Sequence, residues 1–391
     1  MIGFSLWAPI QVLYFSKVSG SYVLGLSIFS IAMVSSAIFE LPTGIFSDFI
    51  GRKYTTMLGG FSYVLAGIFY ALGFSYWWLV VGAILEGLGR SFYSGNNDAL
   101  LYDSLNKSNR KEELEKFMGH IGSAEQWALG IAALLGGILA AKYSFSLVMW
   151  LSVLPALLCF VSSWWLIEIR AEEKRTENIY SHLKEALVNF FKNEKLRLLS
   201  LSSIIGFGFG EAGFQFTNVF IVTLWPLWAI GIARMLSNVG AAIGFGWSGK
   251  LIKNFKATNI LLFEQISSKI MTLLSLIFPS VASPVMMASC SLLYGPSTVA
   301  ENSIFQKEFS NKQRATMGSL NSLGRSLFFA IAAILLGWIA DITSPRIALL
   351  WGQLLSLVSV WLTWKLYKLV KKEHLLPTTV ENFTDNATDF T

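Results

Sequence analysis

Apolar runs of roughly 20 residues, the length of helix that crosses a hydrocarbon core of about 30 Å, recur along nearly the whole chain. Read between charged and Pro/Gly breaks, they fall at 2–16, 22–46, 54–75, 77–104, 117–141, 144–167, 197–223, 226–252, 258–280, 283–305, 315–340 and 346–369. Only 14% of the 391 residues are charged and 54% are hydrophobic, whereas a soluble domain carries about a quarter charged residues. The reading is an all-α membrane protein with twelve transmembrane helices. A β-barrel does not fit, because its strands are only about 10 residues long and alternate apolar with polar. The first run is short. Aligned with its later counterpart it lacks residues at its start, so the first helix reads as truncated and Met1 as an internal or misassigned start. No basic segment precedes this run and no small-residue cleavage site closes it, which argues against a removable signal peptide.

The net charge of +6 is a matter of location. Segments 50–53, 105–116, 168–197, 250–257, 306–314 and 365–372 hold 23 of the 30 Lys and Arg, and the alternate loops hold only Lys17, Lys142 and Arg346. By the positive-inside rule the first set is cytoplasmic, with both termini inside and the protein in the inner membrane. A nucleic-acid groove would need these cations on one folded surface with aromatic platforms, and no such arrangement is present. Cys159 and Cys290 lie in apolar spans without metal or disulfide spacing, and His120, His182 and His374 are scattered. No cofactor, metal or catalytic constellation is expected. "GFGEAG" at 208–213 has dinucleotide-motif spacing but no βαβ context, so its glycines read as thinning a helix.

The chain divides into two bundles of six helices, 1–167 and 197–370, joined by a linker at 168–196 and followed by a tail at 371–391. Within the linker, Ile179, Tyr180, Leu183, Leu187 and Phe190 share one helical face, as in a helix lying on the membrane surface. The bundles resemble each other: "IAALLGGILA" at 131–140 matches "IAAILLGWIA" at 331–340 at an offset of 200, Met118-Gly119 matches Met317-Gly318, and Gly44 falls on Gly244. A parallel repeat of this kind places a substrate site near the midplane between its halves.

The charged turn "GIFSDFIGRK" fills the pattern G-x-x-x-D-x-x-G-R-K with Gly44, Asp48, Gly51, Arg52 and Lys53. It resembles the signature between helices 2 and 3 of the major facilitator superfamily, and the topology extends that resemblance over almost the whole chain. Glycines allow a tight turn and close helix ends, and Asp48 and Arg52 can form charge-assisted hydrogen bonds. The resemblance implies that these charges latch the cytoplasmic ends together, with Asp103 as the acidic partner at the end of helix 4. It also implies a monomeric carrier working in a lipid bilayer on a small-molecule substrate and protons.

Charges inside the membrane cost about 2.5–3.5 kcal/mol each on insertion scales, and so mark candidate sites. Glu86 and Arg90 have the i,i+4 spacing of an intrahelical pair, and Arg90 with Gly95 loosely resembles the family's proton-coupling pattern. Glu125, Glu211 and Arg325 lie at mid-depth by the 1.5 Å rise of a helix. A carboxyl buried there can exchange a proton near neutrality unless a neighbouring Arg holds it ionised. Asp98 and Glu301 occupy nearly equivalent positions in helices 4 and 10. Trp7, Tyr93, Asn96, Asn97, Trp127, Phe214, Gln215, Tyr294 and Asn302 are the substrate-cavity candidates. Glu264 and Lys269 read as a structural pair.

The expectation is a secondary transporter moving a small organic solute by alternating access, with proton-coupled efflux in the manner of the drug:proton antiporter branch. The Gly-Pro motif of that branch is incomplete: Ala128, Ala132 and Ala133 stand where it has Gly, Gly and Pro. Proton-coupled uptake of a metabolite is therefore the alternative, and a non-transporting sensor or a lipid flippase is a third reading.

Overall fold

In the computed structural model the described residues are 6–94, 96–110, 113–168, 193–308 and 314–375. They form twelve helical spans. These are α1 (Gln11–Ser19), α2 (Tyr22–Ile50), α3 (Arg52–Leu72), α4 (Tyr76–Tyr93, continued by Asn96–Lys107), α5 (Leu114–Lys142) and α6 (Phe145–Ser162). The second set is α7 (Glu194–Ile221), α8 (Ile230–Phe255), α9 (Ala257–Ile277), α10 (Ser283–Ser289, continued by Ser291–Glu308), α11 (Arg314–Ile342) and α12 (Pro345–Leu355, continued by Leu357–Leu375). The amphipathic face expected within 168–196, together with the 376–391 tail, lies outside the described residues.

Local chemistry sets the helix limits. Gly20 and Gly73 close α1 and α3 in the left-handed conformation, at φ 85° and 48°, which glycine adopts without steric cost. Ser21, Asn193, Ser144 and Ser344 cap α2, α7, α6 and α12 by accepting backbone N–H bonds at 3.1–3.3 Å. The last two stand 200 residues apart, so the sequence repeat recurs as a structural one: two pseudo-symmetric six-helix bundles.

Eight of the spans are long and apolar enough to cross a membrane: α2, α3, α5, α6, α8, α9, α11 and α12. The other four, α1, α4, α7 and α10, are the first and fourth of each bundle. They are short, broken or carry Glu86, Arg90, Glu211 and Glu301. A helix can tolerate that composition only if one side faces protein or water rather than lipid.

The bundles meet along α2 with α11 and α5 with α8, and the contacts lie toward one face of the molecule. We call the side bearing the α2–α3 turn the linker face and the other the opposite face. At the opposite face a Cβ on Gly337 would stand 2.6 Å from Val23 Cα, and one on Gly137 would stand 2.9 Å from the Gly231 nitrogen. These glycines are again 200 residues apart, so both crossings depend on the same missing side chain. Tyr22 packs edge-on against Phe216 with ring centroids 5.3 Å apart. Asp341, at the end of α11, accepts from the Tyr22 and Val23 N–H groups at 2.7 and 2.9 Å, where the helix dipole of α2 favours a carboxylate. Deeper in, Ser30 Oγ donates to Ala330 O at 3.2 Å.

Toward the linker face the bundles separate. Cβ atoms added at Gly44, Gly246, Gly249 or Gly318 would meet nothing within 4 Å, and Phe49 is 84% exposed. Gly44 and Gly244 match in sequence but not in use, because a Cβ on Gly244 would run into the Leu292 carbonyl. The close approaches between the bundles seen at the opposite face do not recur at these positions.

The Asp341 contact joins the bundles at the opposite face. With Cys159 and Cys290 replaced by Ser, spin labels at Phe74→Cys and Val281→Cys report the opening of the opposite face. Asp341→Ala removes two charge-assisted bonds, about 1–3 kcal/mol, and is expected to enlarge the long-distance population. An unchanged distance distribution would remove the contact from the closure.

Candidate substrate cleft and gate

In the first bundle a buried carboxylate anchors the cleft. Glu86 is 5% exposed and accepts from Tyr70 Oη at 2.8 Å and Arg90 Nη2 at 2.9 Å. Tyr70 is held in turn by Trp7, with centroids 5.2 Å apart, and by Phe15 at 4.9 Å. The Arg90 side chain remains 46% exposed and reaches Met33 Sδ at 3.6 Å. An ion pair sealed on its acidic side and open on its basic side leaves a fixed cation facing the cleft.

In the second bundle one stripe of α7, Ser203, Phe207, Glu211, Phe214 and Asn218, follows helical spacing along the cleft. Arg325 of α11 lies at one end, donating to Ser203 Oγ and pairing with Glu301 of α10; its guanidinium is 5.5 Å from the Phe207 ring centre. Arg234 of α8 lies at the other end, stacked 3.7 Å from the Phe214 ring centre. It donates from Nε to Asn218 Oδ1 at 2.9 Å and from Nη2 to Phe214 O at 2.8 Å. Asn218 Nδ2 donates across the bundles to Ala8 O at 3.3 Å. Between these ends, Glu211 accepts from Gln215 at 2.7 Å and lies within electrostatic range of both Arg90 and Arg234. The neighbouring Gly210 faces open space.

At the linker face Gly51 turns the chain at φ 95°, a conformation that favours glycine. A Cβ there would stand 2.6 Å from the Glu168 carboxylate. Glu168 accepts from the Arg52 and Lys53 N–H groups at 2.9 and 3.0 Å, so it binds the N-terminus of α3. Asn96 is 5% exposed, accepts from Ser47 Oγ at 3.0 Å and donates to Arg52 O at 3.1 Å and Thr56 Oγ1 at 2.8 Å. It pins the break in α4 to the α2–α3 turn.

The sequence profile of the Major Facilitator Superfamily matches residues 1–332. The chain belongs to the major facilitator superfamily. It is 28% identical over 196 residues to the uncharacterized transporter BU466 of Buchnera aphidicola, a match covering 50% of this chain and 48% of that protein. It is also 28% identical over 170 residues to the inner membrane transport protein YajR of Escherichia coli, covering 43% and 36%. In these matches the chain spans half or less of the length of its curated relatives. A crystal structure of a point mutant of the nucleoside transporter NupG superposes with a TM-score of 0.76 over 94% of this chain and 97% of that one, at 12% identity. The names are those of transporters rather than enzymes.

Within this superfamily fold the candidates predicted from sequence separate. Arg90, Glu211, Gln215, Phe214, Arg325 and Glu301 come together as the two charged walls. Trp7 is core instead, 3% exposed, because its indole supports Tyr70. Tyr93 stacks on Tyr63 with centroids 5.3 Å apart and reaches Cys159 of α6, on the side of the bundle away from α7. Asn96 belongs to the turn, as above, and Asn97 and Asn302 are exposed. Tyr294 is 56% exposed, edge-on to Phe245. Trp127 of α5 is 56% exposed and lines a crevice with Met235 and Asn238 of α8. Glu125, beside it, is half-buried without a partner among the described residues. Glu264 accepts from Ser268 and Ser297 rather than pairing directly with Lys269. Gly95 and the side chains of Asp48, Asp98 and Asp103 lie outside the described residues. Arg234, Glu168 and Asp341 were not among the candidates; Arg234 lies within an apolar run, where the same cost of a charge in the membrane singles it out.

Asn96→Ala removes three hydrogen bonds from a buried site remote from the cleft. It is expected to destabilise the protein by about 1–3 kcal/mol in thermal unfolding while leaving ligand affinity unchanged. A weakened affinity with unchanged stability would return Asn96 to the substrate site.

Proposed function

We propose that the chain is a secondary active transporter that moves a small organic solute by alternating access, coupled to protons, from a bacterial-type inner membrane. The observation that carries this reading is the asymmetric closure: the contacts between bundles lie toward the opposite face, and the ion-paired walls of α4, α7, α10 and α11 stand along a cleft open at the other. Charged groups held in reserve at mid-membrane have no purpose in a purely structural bundle, since each costs about 2.5–3.5 kcal/mol on insertion scales.

The positive-inside distribution makes the linker face cytoplasmic, with both termini inside and the cleft inward-facing. In the outward-facing state Gly44 becomes a close contact, and Asp48, Arg52 and Asp103 latch the cytoplasmic ends. Glu211 is the leading proton carrier because it stands between cations of both bundles, so rocking changes its electrostatic surroundings; Glu125 is the second candidate. The protein acts as a monomer. Efflux of an amphipathic compound is the reading closest to the charged-turn signature. Ala133, where exporters of the antiporter branch carry proline, favours proton-coupled uptake as the alternative.

Reconstituted vesicles test the class: solute added to one side is expected to drive proton movement, and saturable ligand binding without flux would identify a sensor instead. Glu211→Gln is expected to flatten the pH dependence of transport, and a wild-type profile in both Glu211→Gln and Glu125→Gln would exclude these carboxyls. Asp48→Asn and Arg52→Ala should each reduce turnover about tenfold, 1.36 kcal/mol in barrier, with less effect on binding. Unchanged turnover in both would remove the latch.

A further inference from the structure

We infer that Arg234 and Phe214 form a subsite for the carboxylate of an aromatic monoanion, with Glu211 as the counter-anion that the ligand replaces. The inference deepens the transporter reading of the same cleft and rests on it.

Arg234 is 6% exposed and makes no ion pair among the described residues. A cation buried in this way needs an opposite charge or a full set of hydrogen bonds. The protein supplies two acceptors, Asn218 Oδ1 for Nε and Phe214 O for Nη2. Nη1 has no hydrogen-bond partner among the described residues. Its two N–H groups are left unengaged by the protein. Charge compensation comes at longer range from Glu211, whose carboxylate is occupied by Gln215. The site is an oriented guanidinium, fixed on three sides, with donors still available and a counter-anion that does not touch it.

The surroundings select the ligand. Phe214 is 41% exposed, with the guanidinium on one side of its ring, so the rest of the ring is available for stacking against a second aromatic group. A planar carboxylate matches the remaining N–H geometry. A monoanion neutralises Arg234 once Glu211 takes a proton, whereas a dianion would leave an uncompensated charge in a low-dielectric site. Ligand and proton then enter together, and the binding site and the proton site share α7. Arg90 and Arg325 serve this role less well, because each already holds a direct carboxylate partner in Glu86 and Glu301.

The test is calorimetric titration of the purified full-length protein with benzoate and, separately, its neutral isostere benzamide. Saturable benzoate binding at least tenfold tighter than benzamide is expected. Arg234→Gln should abolish it and Arg234→Lys should weaken it. Should the Arg234 variants fail to fold, Glu211→Gln and Phe214→Ala carry the test. Removing the competing negative charge is expected to tighten benzoate binding about tenfold, and removing the ring to weaken it. Equal affinity for benzamide, absence of benzoate binding, or unchanged benzoate affinity in both Glu211→Gln and Phe214→Ala would overturn the subsite. Solute-driven proton flux with a neutral compound would then still uphold the transporter reading.

Discussion

An ionised side chain cannot remain in a hydrocarbon layer without a partner or access to water, and that constraint organises this molecule. Glu86, Arg90, Glu211, Arg234, Glu301 and Arg325 would each be untenable on a lipid-facing surface. Their helices are turned so that these side chains pair or hydrogen-bond within their own bundle. The outer helices, freed from that task, carry the continuous apolar surface. Four of the six charges lie on α4, α7 and α10, which fall outside the eight described helices that are long and apolar enough to cross a membrane.

Closure at the opposite face joins this electrostatic core to motion. Gly137 and Gly337 bring backbones into contact at equivalent crossings, and Asp341 binds a helix terminus of the other bundle. These are a few hydrogen bonds and two close-packed seams rather than a large interlocked interface. Interactions of that size bias a two-state equilibrium without fixing it. Glu168 has the same chemistry within one bundle, tying the turn to the chain that follows α6. Asp341 and Glu168 use one device, a carboxylate on exposed N–H groups, in two places: one contact joins the bundles, and under the proposed alternating access it must break, while the other lies within a bundle.

Much of this was legible in the sequence because hydrophobic length and repeat spacing are backbone properties. The offset of 200 marked two like halves, and Gly137 with Gly337 take equivalent crossings while Ser144 with Ser344 take equivalent helix caps. Glu211 and Arg325 were legible as charges at mid-depth. Asn96 was not: a polar residue near a cavity-lining helix reads as a ligand group, and only the break at the end of α4 shows it turned toward Ser47 and Thr56. Trp7 was misplaced for a similar reason, since helical spacing cannot tell the cleft side from the side that packs on Tyr70. Asp341 and Glu168 sit at helix ends, where their partners are backbone groups that no side-chain pattern reveals.

The most direct measurement of the cleft and its opening is the accessibility of a single cysteine at Gly210, beside Glu211, in a protein whose Cys159 and Cys290 are Ser. Gly210 faces open space, so the substitution fits without rearrangement. With the linker face cytoplasmic, as proposed, a membrane-impermeant thiol reagent is expected to modify Gly210→Cys in inside-out vesicles and to do so far more slowly in right-side-out ones. Modification from neither side, or faster from the opposite face, would contradict the cleft described here.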